Sequence, residues 1–400
     1  MTKKIIALAM ILIALSPGVP AQEPDPFLKL VDENNPEITA FRKLLEAVKA
    51  EAVTGITPPD PFASFGYMPE KNDGTAIKKT WQVNQSLSFP AKYITQKKLS
   101  KDKIILAEQE FDMARINILL DAKLLLIDLS TTQKTLDMLT DRKVLYDKLK
   151  SGWKMMLDEG ETTILDYNKI LFELSGLSLK ISRARTEMTL LKEKLLYMCG
   201  NESIPLFPVI EFSVDSIHDL GEILSKKEAI HPSFLLPESE YIISLREAKL
   251  AGMGNLPELQ AGYQAEILPG ETFSGPVLGI TIPLWANTGK VKSANAMADH
   301  YAAARDARLT GLRTQVRGEY ENLIALSESI RELRNLMDSG TANDFLDQAL
   351  SSGEISLIDY FVYLESSFQT EEKLIELENE YAKTRAALYD HELLGNRQLK

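Results

Sequence analysis

The sequence predicts an α+β protein, mostly α, made of two structural repeats, each a β-hairpin followed by long coiled-coil helices. Three observations carry that reading. GETTILDY at 160–167 returns as GEISLIDY at 353–360, 193 positions on, the self-similarity expected of a repeat architecture. Apolar residues alternate with period two in four short stretches. Two runs of about 60 residues, 91–152 and 290–352, contain no proline.

Residues 1–21 read as an export signal. Lys3 and Lys4 precede an apolar run from Ile5 to Leu15, and the small residues of Val19-Pro20-Ala21 follow at the positions a signal peptidase reads. The run is too short for the roughly 20 residues a spanning helix needs, so cleavage is expected, and no later segment reads as a spanning helix. No cysteine stands at the cleavage site, which leaves no place for lipid attachment there. Losing this segment removes two lysines and no acid, so the net charge of −12 becomes −14. Such a chain lacks the basic face that nucleic acid requires. With 400 residues, 44% of them hydrophobic, it is long enough to bury a large core.

The first repeat is expected over 22–230 and the second over 231–400. Asn35-Pro36-Glu37 answers to His231-Pro232-Ser233, and Gly66-Tyr67 to Gly262-Tyr263, both 196 positions apart; Phe89-Pro90 and Ile282-Pro283 are 193 apart. Strands are expected at about 62–68, 80–89, 257–267 and 276–284. The third shows the alternation best, with Leu259, Ala261, Tyr263, Ala265 and Ile267 on one face and Gln260, Gly262, Gln264 and Glu266 on the other. Turn-rich connections at 68–74 and 268–271 make the strands two hairpins.

Helices are expected at about 91–152 and 161–199, then at 290–352 and 354–394, with a further segment at 201–230. In the first, Ile118, Ala122, Leu125, Leu129, Thr132, Leu136, Leu139 and Tyr146 keep close to the alternating steps of four and three of a coiled-coil seam. Sixty helical residues extend roughly 90 Å, so the molecule is elongated. Four strands with one apolar face do not close a barrel, and an open edge is not tolerated in lipid. Closure has to come from further copies.

This order of hairpin, long helix, turn and returning helix, given twice behind an export signal, resembles the TolC family of outer membrane factors. The local marks are the Asn-Pro-Glu and His-Pro-Ser starts, PDPFASFGY at 59–67, Ile282-Pro283-Leu284-Trp285 ahead of Gly289-Lys290, and the two GE turns. The likeness covers about 35–394, and it implies that 201–230 is an equatorial segment in a belt around the helices. It implies a homotrimer with a 12-stranded β-barrel in the outer membrane and an α-helical tunnel through the periplasm. It also implies the role of channel in a tripartite efflux or type I secretion system, a passive conduit for drugs or metal ions that catalyses nothing. The implied partners are a periplasmic adaptor protein and an inner-membrane pump of the RND type.

Gly160 and Gly353 stand where a long helix reverses, since glycine accepts the left-handed conformation of such an ending. By the resemblance these turns are the periplasmic tips, and Gly160, Glu161, Gly353 and Glu354 are the candidate adaptor contacts. Six residues past each glycine, Asp166 and Asp359 fall on the first turns of the returning helices. Repeated around a threefold axis they would form carboxylate rings that favour cations at a constriction; a helix-start carboxylate favoured by the macrodipole is the plainer reading. Two positions depart from the family pattern: Val362 replaces a second aspartate, and Ile355 a basic latch residue.

No catalytic motif, cofactor fingerprint or metal site is expected. His218, His231, His300 and His391 are scattered, Cys199 is the single cysteine and so forms no intramolecular disulfide, and Met155 and Met156 beside the first tip read as gap-filling side chains. The competing class is an exported trimeric coiled-coil spacer, which explains the long helices but not the hairpins.

Overall fold

The computed structural model describes residues 26–69, 77–201, 207–285 except 209, 211, 213 and 215, and 287–399 except 340–345, 347, 351 and 353. The expected export signal at 1–21 lies outside these residues. α1 (Pro26–Asn34) leads directly into α2 (Pro36–Ala52). Asn35 makes the break, its Oδ1 accepting the N–H groups of Glu37 and Ile38 at 2.9 and 3.0 Å, while Pro36 occupies a first-turn position that needs no donor. His231 repeats the device at the start of α6 (Pro232–Met253), its Nδ1 accepting the Ser233 N–H at 3.2 Å.

Four antiparallel strands form one sheet in the order β1 (Phe62–Pro69), β2 (Ile77–Leu87), β3 (Glu258–Leu268) and β4 (Glu271–Thr281). The register sets Phe65, Trp81, Ala265 and Ser274 in one row and Ala63, Val83, Tyr263 and Pro276 in the next. These rows share a face with Tyr67, Leu87, Leu259, Ile267, Leu278 and Ile280. Trp81 and Tyr263 stack there with ring centroids 5.6 Å apart. The opposite face carries Ser64, Thr80, Gln82, Asn84, Ser86, Gln260 and Gln264. The apolar face is exposed, Phe65 to 69% and Leu278 to 84%, and the opposite face also carries the exposed Phe62, Met68 and Phe273. Both outer strands, β1 and β4, have one edge with no partner strand among the described residues.

Two strands differ from expectation. β2 starts at Ile77 rather than 80, because its pairing with β1 continues to Pro69, and it ends before Phe89, which caps the helix that follows. β4 covers 271–281 rather than 276–284. The two-residue turn at Pro269-Gly270, with Gly270 at φ +88°, sets Leu268 directly opposite Glu271, so pairing begins at once. Pro276 is tolerated because β4 is an edge strand.

α3 (Pro90–Glu159) has 70 residues and extends about 105 Å. It outlasts the expected end at 152, since nothing before Gly160 stops it. α4 (Ile164–Met198) returns along it, starting at its Thr163 cap rather than at 161. α5 (Leu220–Ile230) is the helical part of the expected 201–230 segment. α7 (Lys290–Ser339) and α8 (Leu357–Leu388) form the second long pair, followed over Asp390–Leu399 by 3₁₀ turns broken at Gly395, where φ is 62°. α8 starts after its Ser356 cap rather than at 354 and ends before the expected 394.

Three apolar clusters hold these helices together, two of them in succession along α3 and α4 and one in the second helix pair. The first joins α1, α3 and α4 through Val31, Ala122, Leu126 and Leu195. The second joins α3, α4 and α8 through Tyr146, Ile170 and Leu364. The third joins α5, α6, α7 and α8 through Ile223, Phe234, Leu323 and Leu388. Burial in a line of small cores is what seams on long helices give.

Candidate functional site

The helix reversal after α3 is built from backbone geometry. Gly160 adopts φ 78° and ψ 14°. Its N–H donates to the Leu157 carbonyl at 3.2 Å, and the Glu161 N–H reaches back to Met156 at 2.9 Å, a Schellman-type ending. A Cβ at Gly160 would meet no atom within 4 Å, so conformation rather than space requires glycine. At the second reversal the Glu354 N–H donates to the Ala349 carbonyl at 2.9 Å, the same bond 193 positions on; Gly353 lies outside the described residues. Glu161 and Glu354 are both exposed.

Asp166 and Asp359 sit at matching places on the returning helices. Thr163 caps α4 by accepting the Asp166 N–H at 3.2 Å, and its hydroxyl donates to Asp166 Oδ2 at 2.6 Å. The Thr163 N–H also reaches Oδ2 at 3.3 Å, which completes a capping box. The Thr163 hydroxyl, aided by backbone and Thr162 hydrogen bonds, lowers the Asp166 pKa below the ordinary carboxylate value. Ser356 treats Asp359 alike, accepting its N–H at 3.1 Å and donating to Oδ2 at 2.6 Å. Each aspartate therefore supports the start of its helix and places a carboxylate beside the reversal.

The two reversals share one core. Trp153 of α3, Ile170 of α4, and Tyr360 and Phe361 of α8 are buried together, with Tyr167 and Ile355 half-buried against them. Trp153 meets Phe361 edge to face at 6.5 Å, and the Lys169 ammonium lies 4.3 Å from the Phe361 ring centre. Ile355, where the resemblance implied a basic latch, is an apolar contact of this core, while Val362 is exposed.

Above the tips lies an ionic group that the periodicity does not announce. Arg142 of α3, 2% exposed, bonds Glu365 and, at 3.3 Å, Glu372 of α8. Tyr146 donates to Glu365 at 3.2 Å, and Lys180 of α4 reaches Glu372 at 2.9 Å. The guanidinium also lies 4.5 Å from the Phe368 ring centre. Burial pushes the Tyr146 phenol up to about 12. It opposes ionisation of Glu365 too, but hydrogen bonding and charge from Arg142 outweigh it and hold that carboxyl below its usual value. The signal was a gap: the seam steps from Leu139 to Tyr146, and Arg142 fills the skipped position.

No group of three or more His, Cys, Asp or Glu side chains with metal-binding geometry occurs among the described residues. Among them, too, no helix is long and apolar enough to cross a membrane.

Solved structures share this fold. The outer-membrane channel OprN matches 92% of this chain and 89% of its own at 12% identity, with a TM-score of 0.77. CusC, whose structures concern folding and transmembrane channel formation, matches 92% and 91% at 12% identity and the same TM-score of 0.77. The outer membrane protein VceC from Vibrio cholerae matches 92% and 95% at 15% identity and 0.73. Identities this low establish the fold. No protein-family model and no curated protein matches the sequence.

Proposed function

We propose that this chain, which has the fold of TolC-like outer membrane channels, is itself the outer membrane channel of a tripartite export system. Three copies would close their sheets into a 12-stranded barrel and their helices into a periplasmic tunnel; an adaptor would meet the tips and an inner-membrane pump would supply cargo. The carrying observation is the four-stranded sheet, uncovered on its apolar face and unpaired at both edges among the described residues. In water that face has no partner, while in lipid it has one; edges then have to pair, because hydrocarbon offers no hydrogen bonds. Four strands per chain make eight for two copies, a barrel filled by its own side chains, and twelve for three, which begins to leave a lumen.

On this reading the Gly160, Glu161, Gly353 and Glu354 surfaces receive the adaptor, and Asp166 and Asp359 line the narrow tip. The neighbours OprN, VceC and the Campylobacter jejuni channel CmeC, each described as an outer-membrane protein or channel, support the location. The test is fractionation and reconstitution. The protein should require detergent for release from outer membranes, run as a heat-sensitive trimer, and conduct ions in planar bilayers. Release without detergent would refute the reading, and a trimer so released would favour the spacer class.

A further inference from the structure

We infer that the junction between sheet and helices carries a basic collar that binds anionic phospholipid headgroups of the adjoining leaflet. This rests on the membrane reading above. β2 and β4 end on the same side of the sheet and lead into α3 and α7. At that level the apolar face gives way to exposed aromatic residues, Phe89 at 45% and Trp285 at 77%, side chains suited to a membrane–water interface. Lysines follow. Lys92, Lys97, Lys98, Lys101 and Lys103 fall in about the first four turns of α3, and Lys290 and Lys292 in the first turn of α7.

Three facts separate this cluster from an ordinary solvated face. The chain as a whole carries −12, so the concentration is local. Lys92, Lys290 and Lys292 stand in first turns, where the macrodipole disfavours cations, so helix stability does not select them. Lys92 and Lys103 pair with Glu258 and Glu247, but Lys97, Lys98, Lys101, Lys290 and Lys292 are exposed and make no ion pair among the described residues. Lys97, Lys98 and Lys101 share the side of α3 on which Ile94 is 59% exposed, opposite the buried Leu99. An isoleucine among lysines just below an apolar sheet suits a headgroup region, where lysine stems bury and ammoniums reach phosphate.

The experiment uses the full-length protein reconstituted in vesicles of phosphatidylcholine, with and without phosphatidylglycerol. After mild detergent extraction, the retained phosphatidylglycerol is counted by native mass spectrometry. The wild type should keep it selectively, and about 0.5 M salt should abolish the selectivity. A variant with Lys97, Lys98, Lys101, Lys290 and Lys292 changed to Gln should retain about 10-fold less, and the matching Arg variant should behave as wild type. Equal retention by the Gln variant overturns the collar, as does a Gln variant that loses trimer stability with unchanged lipid. Failure of the wild type to enter vesicles of either composition overturns the membrane reading instead.

Discussion

Among single residues, Gly262 and Gly66 test how tightly the polar face of the sheet is packed. A Cβ on Gly262 would lie 2.4 Å from the Val83 carbonyl oxygen and 2.1 Å from Asn84 Oδ1, whereas one on Gly66 would press chiefly on the Thr80 hydroxyl at 2.5 Å. A hydroxyl can rotate away, and a paired backbone carbonyl cannot. Gly262→Ala should therefore cost about 1–3 kcal/mol in denaturant melts, and Gly66→Ala distinctly less. Arg142 makes a second residue-scale test. Arg142→Met leaves Glu365 with Tyr146 and Gln369 as its donors but without a charge partner, at a cost on the order of 2–4 kcal/mol near pH 7. The Glu365 carboxyl is held below its usual value in the fold, so its ionic contribution is present above the unfolded pKa and lost as pH falls through the folded one. The gap between wild type and variant should accordingly narrow below about pH 4.3; a gap independent of pH would mean that packing against Phe368, not charge, is what Arg142 supplies.

Whole elements were legible in the sequence wherever one periodicity ran without interruption. The alternation from Leu259 to Ile267 reads as a strand and is one, and the seam from Ile118 to Tyr146 lies on the buried or half-buried side of α3. Legibility fails where a second constraint acts. The opening of β4, Glu271 to Gly275, looks like a loop by composition and becomes strand only because the Pro269-Gly270 turn pairs it at once. The role of Ile355 is hidden because the core it packs against takes Trp153 from α3 and Ile170 from α4, both far from it in sequence. Asp166 and Asp359 are legible as to place, in the first turns of α4 and α8, while the proposed channel gives them a role beyond capping. As N3 residues of capped helices, Asp166 and Asp359 stabilise α4 and α8; as tip carboxylates in a trimer, they would set ion preference. Changing both to Asn keeps their shape while removing charge. The double variant should lower the cation-to-anion permeability ratio in single-channel recordings, with little change in melting. An unchanged ratio would leave them as caps alone.

For the whole molecule, a sheet face this apolar makes opposite demands in water and in lipid, and adjacent residues of β2 separate them. Val83 lies in the central row of the apolar face with Ala63, Tyr263 and Pro276, while its neighbour Gln82 points to the polar face beside Ser64 and Gln264. If the apolar face meets hydrocarbon as proposed, Val83→Arg sets a guanidinium near the midplane at about 2–4 kcal/mol per chain. A threefold assembly would incur that penalty three times, so the yield of vesicle-inserted trimer should collapse. Gln82→Arg sets the same charge in a watery lumen, and insertion should persist with conductance altered. In a water-soluble spacer the ranking reverses, because an arginine at the 42% exposed Val83 relieves an apolar surface and should improve solubility. Equal insertion by both variants would thus remove the membrane from the account, because no other feature of β2 distinguishes two neighbouring positions by the side of the sheet they occupy.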